Sequence, residues 1–180
     1  MKNFLRGIGA TLDDTDVSIL RILQTDARVS NAEIGRRINL APSAVLQRIR
    51  RLEQRGIIDA YVTKLDPAAL GFQLTAFVMI RTGEGACASE ISSELANIPE
   101  IQEIHRVVGE DCFFTKVRVP DAASLANLLD VSIRGIRGVA TTRTTIVLNS
   151  AKETFHLPLP EDVPNVESSS KTTLDKRSVV

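Results

Sequence analysis

Residues 28–55 carry seven arginines, at 28, 36, 37, 48, 50, 51 and 55, against two acids, Glu33 and Glu53. Guanidinium groups offer paired donors that fit phosphate oxygens and the edge of guanine, Gln47 suits the same two-point pairing with adenine, and Ser43 suits a phosphate. These residue types point to recognition of a DNA duplex. The rest of the chain has a different balance, since residues 56–150 hold eight basic and eleven acidic residues. A formal net charge of zero, 22 Lys plus Arg against 22 Asp plus Glu, thus conceals a basic module and an acidic remainder. Basic clustering favours attraction to phosphates and salt-dependent binding.

Two short helices must position these groups. Ser30 is placed to cap the first, with Glu33 three residues on to complete a capping box. Ile34 and Ile38 form its buried stripe, and Gly35 allows a close approach. Asn39 suits a turn that needs positive φ, Leu40 returns to the core, and Pro42 fits the first turn of the second helix. In that helix Val45, Ile49 and Leu52 share one side. At 100° per residue, Ser43, Ala44, Gln47, Arg50, Arg51 and Gln54 point away from it, with Arg48 at the margin. The candidate DNA contacts are Ser30, Ser43, Ala44, Gln47, Arg48, Arg50 and Arg51. The common helix-turn-helix spacing expects an apolar residue at 48, a role that Ile49 takes here. An ordinary amphipathic surface helix would show the same periodicity; the charge distribution favours the DNA reading.

Upstream, LDDTDVSILRILQTDAR reads as a third helix, with Val17, Leu20 and Leu23 or Ile19 and Leu23 inward and Asp13, Asp14 and Asp16 near the N-terminus, where the helix dipole favours acids. Downstream, Gly56 ends the arginine-bearing helix, and residues 57–65 (IIDAYVTKL) read as short strand segments of a wing. A module this small is expected to lean on a partner domain or subunit.

Residues 66–71, with Pro67 and Gly71, read as a linker. The periodicity then changes. Strands are expected over 72–81, 101–108, 112–119 and 139–149, and helices over 87–97, with Ile91 and Leu95 inward, and 121–134, capped by Asp121. The order βαββαβ gives a ferredoxin-like sandwich, an antiparallel sheet with helices on one face. Strands such as FQLTAFVMI carry apolar residues on both sides, so the open face should be buried in a homodimer. Two-fold symmetry would then present two recognition helices to successive major-groove turns.

The motifs LDDTDVSILRILQTDAR, LAPSAVLQRIRRLEQRGII, VVGEDCFFTKVRVPD and GVATTRTTIVLN, in that order, resemble the Lrp/AsnC (leucine-responsive, feast/famine) family of transcriptional regulators over about residues 12–150. The resemblance implies an α+β chain: an N-terminal winged helix-turn-helix (12–65), a linker (66–71) and a ferredoxin-like βαββαβ domain for effector binding and dimerisation (72–150). It implies homodimers assembling to tetramers or octamers, an amino-acid or related effector, and control of amino-acid metabolism genes. In the family the turn between the second and third strands reads Gly-x-x-Asp. Gly109 matches, but Cys112 stands at the Asp position, while Asp111 lies one residue earlier and by alternation points to the other face. Thr144 matches a position near the family's ligand, and Thr142 shares its strand face; both also fit a plain sheet surface. The effector candidates are Gly109, Glu110, Asp111, Cys112, Thr142 and Thr144.

Other chemistry finds less support. Cys87 and Cys112 lack C-x-x-C spacing and read as reduced thiols, and His105 and His156 are too separated for a metal site. There is no Gly-rich phosphate loop or nucleophile elbow. No apolar run reaches membrane-spanning length and no signal peptide is read, so a cytoplasmic, nucleoid-associated protein without cofactor or catalytic activity is expected. Residues 1–11 and 151–180 read as a flexible arm and tail; Lys2 and Arg6 offer an alternative in which the arm touches DNA or a neighbouring subunit. Two further alternatives are an amino-acid sensing module without DNA binding and an enzyme resembling the sirohaem decarboxylases. The latter would have only His105 and Arg106 to offer its tetrapyrrole and would leave the basic helix unexplained.

Overall fold

A computed structural model describes residues 12–159; the expectations for the arm at 1–11 and for the tail from 160 onward lie outside the described residues. The chain divides into two compact units, one of residues 12–63 with 154–159 and one of residues 64–153. None of the helices among the described residues is long and apolar enough to cross a membrane.

The first unit is a three-helix head: α1 (Asp14–Thr25), α2 (Asn31–Ile38) and α3 (Pro42–Gln54). Asp13 caps α1 by accepting from the Asp16 amide at 2.7 Å. Ser30 caps α2, its hydroxyl accepting from the Glu33 amide at 3.2 Å. Glu33 does not reach back to complete the capping box; its carboxylate pairs with Arg36 and Arg37 instead. Val17, Ile19, Ile34, Val45, Ile49 and Leu52 form the core, with Leu20, Leu23, Ile38, Leu40 and Leu159 packed against it. Burying an Ile or Leu in full contributes about 1.5–3 kcal/mol, against at most about 1 kcal/mol for an exposed ion pair. Packing therefore sets how the helices meet.

The turn between α2 and α3 follows the sequence closely. Asn39 takes φ 56°, and the Leu40 amide donates to the Gly35 carbonyl at 2.8 Å. The close approach that Gly35 permits is to the turn itself, since a Cβ there would lie 2.3 Å from the Leu40 carbonyl oxygen.

The expected wing strands are absent. Residues 57–65 contain no strand. Ile57 and Ile58 fold onto the helical core, their amides donating to the Leu52 carbonyl at 2.9 and 3.3 Å, and beyond them Tyr61, Val62 and Leu65 are exposed. Strand-forming composition alone does not make a strand; a ladder partner is required, and among the described residues this segment has none. Near the other end of the unit, the side-chain amide of Gln24 accepts from the Leu157 amide at 2.7 Å and donates to its carbonyl at 3.2 Å.

The second unit opens with a 3-10 turn at Ala68–Leu70 in the expected linker. It continues as β1 (Leu74–Thr82), α4 (Ala88–Ala96), β2 (Ile101–Arg106), β3 (Phe113–Val119), α5 (Ala122–Asn127) and β4 (Val139–Ile146). The sheet is antiparallel with order β2-β3-β1-β4, as the ferredoxin-like reading requires. Asp121 caps α5 by accepting from the Ser124 amide at 2.7 Å. The expected single helix over 121–134 changes pitch, because Leu128–Ile133 is a π-helical segment closed by the Arg134 amide on the Leu129 carbonyl at 3.0 Å.

Helices cover one sheet face. Ala76, Val78, Ile80, Phe113, Val117 and Val119 meet Ile91, Leu95, Leu125, Leu128 and Ile133 there. The one buried polar side chain of that face, Thr115, donates to the Val78 carbonyl at 3.0 Å. The opposite face mixes characters. Phe77 and Phe114 stack with centroids 5.1 Å apart, while Lys116 lies across from Phe77 and Arg143 from Met79.

A Gly35→Ala substitution is expected to destabilise the head. The roughly 1 kcal/mol that Ala gains over Gly in helix propensity is smaller than the about 1–3 kcal/mol cost of overpacking against a backbone oxygen. Thermal unfolding of the full chain checks this; an unchanged or higher midpoint would contradict it.

Candidate nucleic-acid interface and effector turn

The apolar stripe of α3 leaves a defined outer surface. Ser43, Gln47, Arg50 and Arg51 are exposed and Ala44 is half-buried. Neither Arg50 nor Arg51 has a carboxylate partner among the described residues. Ser30 is exposed but engaged as the α2 cap. Pro42 stands in the first turn of α3 without a side-chain cap; the Ala44 and Val45 amides donate to the Ala41 carbonyl at 3.0 and 3.1 Å, which leaves the Ser43 amide to face an anion.

Arg48 departs from expectation. Its Nη1 lies 2.7 Å from Asp13 Oδ2 and 2.7 Å from Asp16 Oδ1, with 32% of the Arg48 side chain and 7% of the Asp16 side chain exposed. The guanidinium turns toward α1 because a nearly buried carboxylate needs a partner, and so it does not join the outward group. Hydrogen bonds to Asp13 and then Asp16 push the Arg48 pKa up. Burial works against the Asp13 charge, but the hydrogen bonds from Arg48 and the Asp16 amide, with the Arg48 charge, more than offset it and hold that carboxyl below its ordinary value. The partial exposure of Arg48 places this pair below the about 3–5 kcal/mol lost when a fully buried pair is broken and above a surface pair. The acids at the start of α1 were legible as dipole partners; their second role was not.

In the second unit, the turn before β3 is held from two sides. Gly109 has φ 147°, a conformation that favours glycine. Arg81 on β1 donates through Nε to the Glu110 carbonyl at 2.9 Å and approaches its carboxylate at 3.2 Å. Arg143 on β4 reaches Asp111 at 2.7 Å. Since Arg143 lies opposite Met79, Asp111 belongs with the open face, as alternation suggested. Cys112 goes to the other side: its Sγ lies 3.1 Å from Thr82 Oγ1, and it packs against the core beneath the helices. The Thr82 hydroxyl lowers the Cys112 pKa, and the Arg106 and Arg81 charges act in the same direction. Thr142 and Thr144 pair with Ile80 and Val78 and so share the helix-covered face, where Arg134 donates to Thr142 Oγ1 at 3.2 Å. The six effector candidates therefore divide: Asp111 faces one way, Cys112, Thr142 and Thr144 the other, and Gly109 and Glu110 sit exposed in the turn.

Two domain models account for this organisation. The AsnC-type helix-turn-helix domain matches residues 12–53 and the Lrp/AsnC ligand binding domain matches residues 75–157. The chain belongs to the Lrp/AsnC family of transcriptional regulators. Among the relatives of this Lrp/AsnC regulator, the HTH-type transcriptional regulator FL11 of Pyrococcus horikoshii is 38% identical over 148 residues, 82% of this chain and 97% of FL11. The leucine-responsive regulatory protein of Klebsiella pneumoniae is 38% identical over 151 residues, covering 83% of this chain and 92% of its own. A transcriptional regulator from Neisseria meningitidis, solved as a complex with L-Met, superposes with a TM-score of 0.80 at 28% identity, covering 85% of this chain and 100% of that one. As a family member the chain is a transcriptional regulator that joins a DNA-binding helix-turn-helix to a ligand-binding domain.

One interaction had no sequence signal. Glu153 accepts from Lys116 and, at 2.6 Å, from Arg118, and Lys116 also meets Glu103 at 3.2 Å. Hydrogen bonds first from Lys116 and then from Arg118 hold the Glu153 carboxyl down at about 2 against an ordinary 4.5. A depressed carboxyl stabilises the fold above its unfolded pKa and loses that contribution as pH falls through the folded one. Glu153→Gln is expected to lower the thermal midpoint of the full chain at pH 7, with the gap narrowing between pH 4.5 and about 2. A gap that does not change with pH would refute it.

Proposed function

We propose that this chain is a sequence-specific DNA-binding regulator without catalytic activity, responding to an amino acid or related small molecule and controlling genes of amino-acid metabolism. The observation that carries the DNA part is the outward face of α3. Gln47, Arg50 and Arg51 stand exposed on a helix whose other side is fixed in a core, a small, polar and basic surface that a major groove accepts. The Ser43 hydroxyl and amide at the start of α3 add a phosphate contact, and the Ala44 methyl suits an apolar contact with a thymine methyl. In this reading residues 12–65 bind DNA and residues 72–150 bind effector and dimerise. It places the protein in the cytoplasm, associated with the nucleoid.

The assembly is a homodimer that builds tetramers or octamers. The stacked Phe77 and Phe114 beside Met79 support it, because aromatic groups on an open sheet face gain most by being covered. Two heads related by two-fold symmetry then read a pseudo-palindromic site. The L-Met complex of the Neisseria regulator supports an amino-acid effector. In this chain Cys112, Thr142 and Thr144, with the turn at Gly109–Asp111, form its contact set. The effector acts by shifting populations between assembly states, and its influence is limited to its difference in affinity for them.

Mobility shifts and anisotropy titrations on the DNA upstream of its own gene test the reading. Binding should weaken linearly in log salt, and Arg50→Gln/Arg51→Gln should reduce the slope by about 1.8 per protomer, 0.9 for each phosphate that is no longer neutralised. Salt-insensitive binding, or a slope unmoved by the double substitution, would reject it. For the effector, one of the twenty amino acids should raise the thermal midpoint; a ligand at a hundred times its Kd adds about 2.7 kcal/mol. If none does, the amino-acid effector is rejected.

A further inference from the structure

We propose that Arg48 is a positioning residue for DNA recognition: held by Asp13 and Asp16, it fixes the roll of α3 about its own axis and makes no phosphate contact. This rests on the reading of α3 as the recognition helix.

Three observations lead to it. One guanidinium nitrogen, Nη1, is shared by two carboxylates at 2.7 Å each. The Asp13 that receives it with Oδ2 is the residue whose Oδ1 caps α1, so the first turn of one helix and the middle of another are joined by directional bonds. Asp16 is almost fully buried; drawing Arg48 out to a phosphate would leave that charge without its partner, a cost that a solvent-exposed phosphate contact does not recover.

The need for such a device follows from the stripe itself. Val45, Ile49 and Leu52 hold α3 by aliphatic contacts, which have no preferred direction, whereas hydrogen bonds weaken steeply with misalignment. On a helix about 5–6 Å in radius with its side chains, a roll of 20° moves the outer groups by about 2 Å. Hydrogen-bond distances to base edges tolerate roughly a quarter of that. Arg48 sits about 65° around the helix from the centre of the stripe, where a lateral bond resists roll most directly. Gln47, Arg50 and Arg51 then face the groove at a fixed angle.

The test uses the full chain, with one duplex from the DNA upstream of its own gene and one unrelated duplex of equal length. For Arg48→Met, the salt slope on the unrelated duplex should match the wild type, while preference for the upstream duplex falls about tenfold, the worth of one misplaced side chain–base contact. The double variant Arg48→Met/Asp16→Asn removes the uncompensated carboxylate, so it should regain thermal stability without regaining the preference. A slope lowered by about 0.9 in Arg48→Met would make Arg48 a phosphate contact and overturn the proposal. Recovery of preference together with stability in the double variant would overturn it too, leaving Arg48 as a fold-stabilising residue only. A failure of the underlying DNA reading looks different: wild-type slope in Arg50→Gln/Arg51→Gln, or no preference between duplexes in the unsubstituted chain.

Discussion

The stripe of Val45, Ile49 and Leu52 is the constraint on which the head depends. All three are buried against Val17, Ile19 and Ile34, and a helix that buries this side turns the opposite side to solvent. Exposing Gln47, Arg50 and Arg51 is the geometric complement of that burial. The turn before α3 serves the same end. Asn39 in the left-handed region and Gly35 beneath the Leu40 carbonyl bring α2 and α3 close enough to share a core.

The second unit uses a different principle. Four antiparallel strands bury one face under helices, and the loops at the strand ends are held by charges reaching across the sheet. Arg81 and Arg143, from the strands on either side of the β1–β4 pairing, hold successive residues of the turn before β3. The turn is thereby tied to both neighbouring strands. At another part of the open face Glu153 answers Lys116 and Arg118. Phe77, Phe114 and Met79 are left as its apolar part.

Periodicity carried most of the fold. The three head helices, the βαββαβ order and the caps at Ser30 and Asp121 were readable because each depends on residues within one turn or one strand of each other. Most of the failures involve distant partners, Glu33 and the π-helical segment being local ones. Residues 57–65 have strand composition, but nothing local reveals that no ladder partner is near. Glu33 had two basic neighbours as well as an amide to choose from, and took the arginines. Arg48 was placed at the margin of the helix by angle alone, and only the positions of Asp13 and Asp16, 35 and 32 residues away in sequence, decide which way it turns. The π-helical segment at Leu128–Ile133 leaves no mark in the apolar spacing that set the expected helix. In the turn before β3, Gly109 and the Asp111 alternation were legible, while the arginines that hold the turn were not.

The clamp of Gln24 on Leu157 engages only main-chain atoms of the segment it holds. A carboxamide that accepts from the amide of one residue and donates to its carbonyl is indifferent to the side chain attached there. Position 157 can thus drift through nearly every amino acid with its docking on α1 intact, proline being the exception because it has no amide hydrogen to give. Selection on that residue, where it exists, must come from some other demand than anchoring.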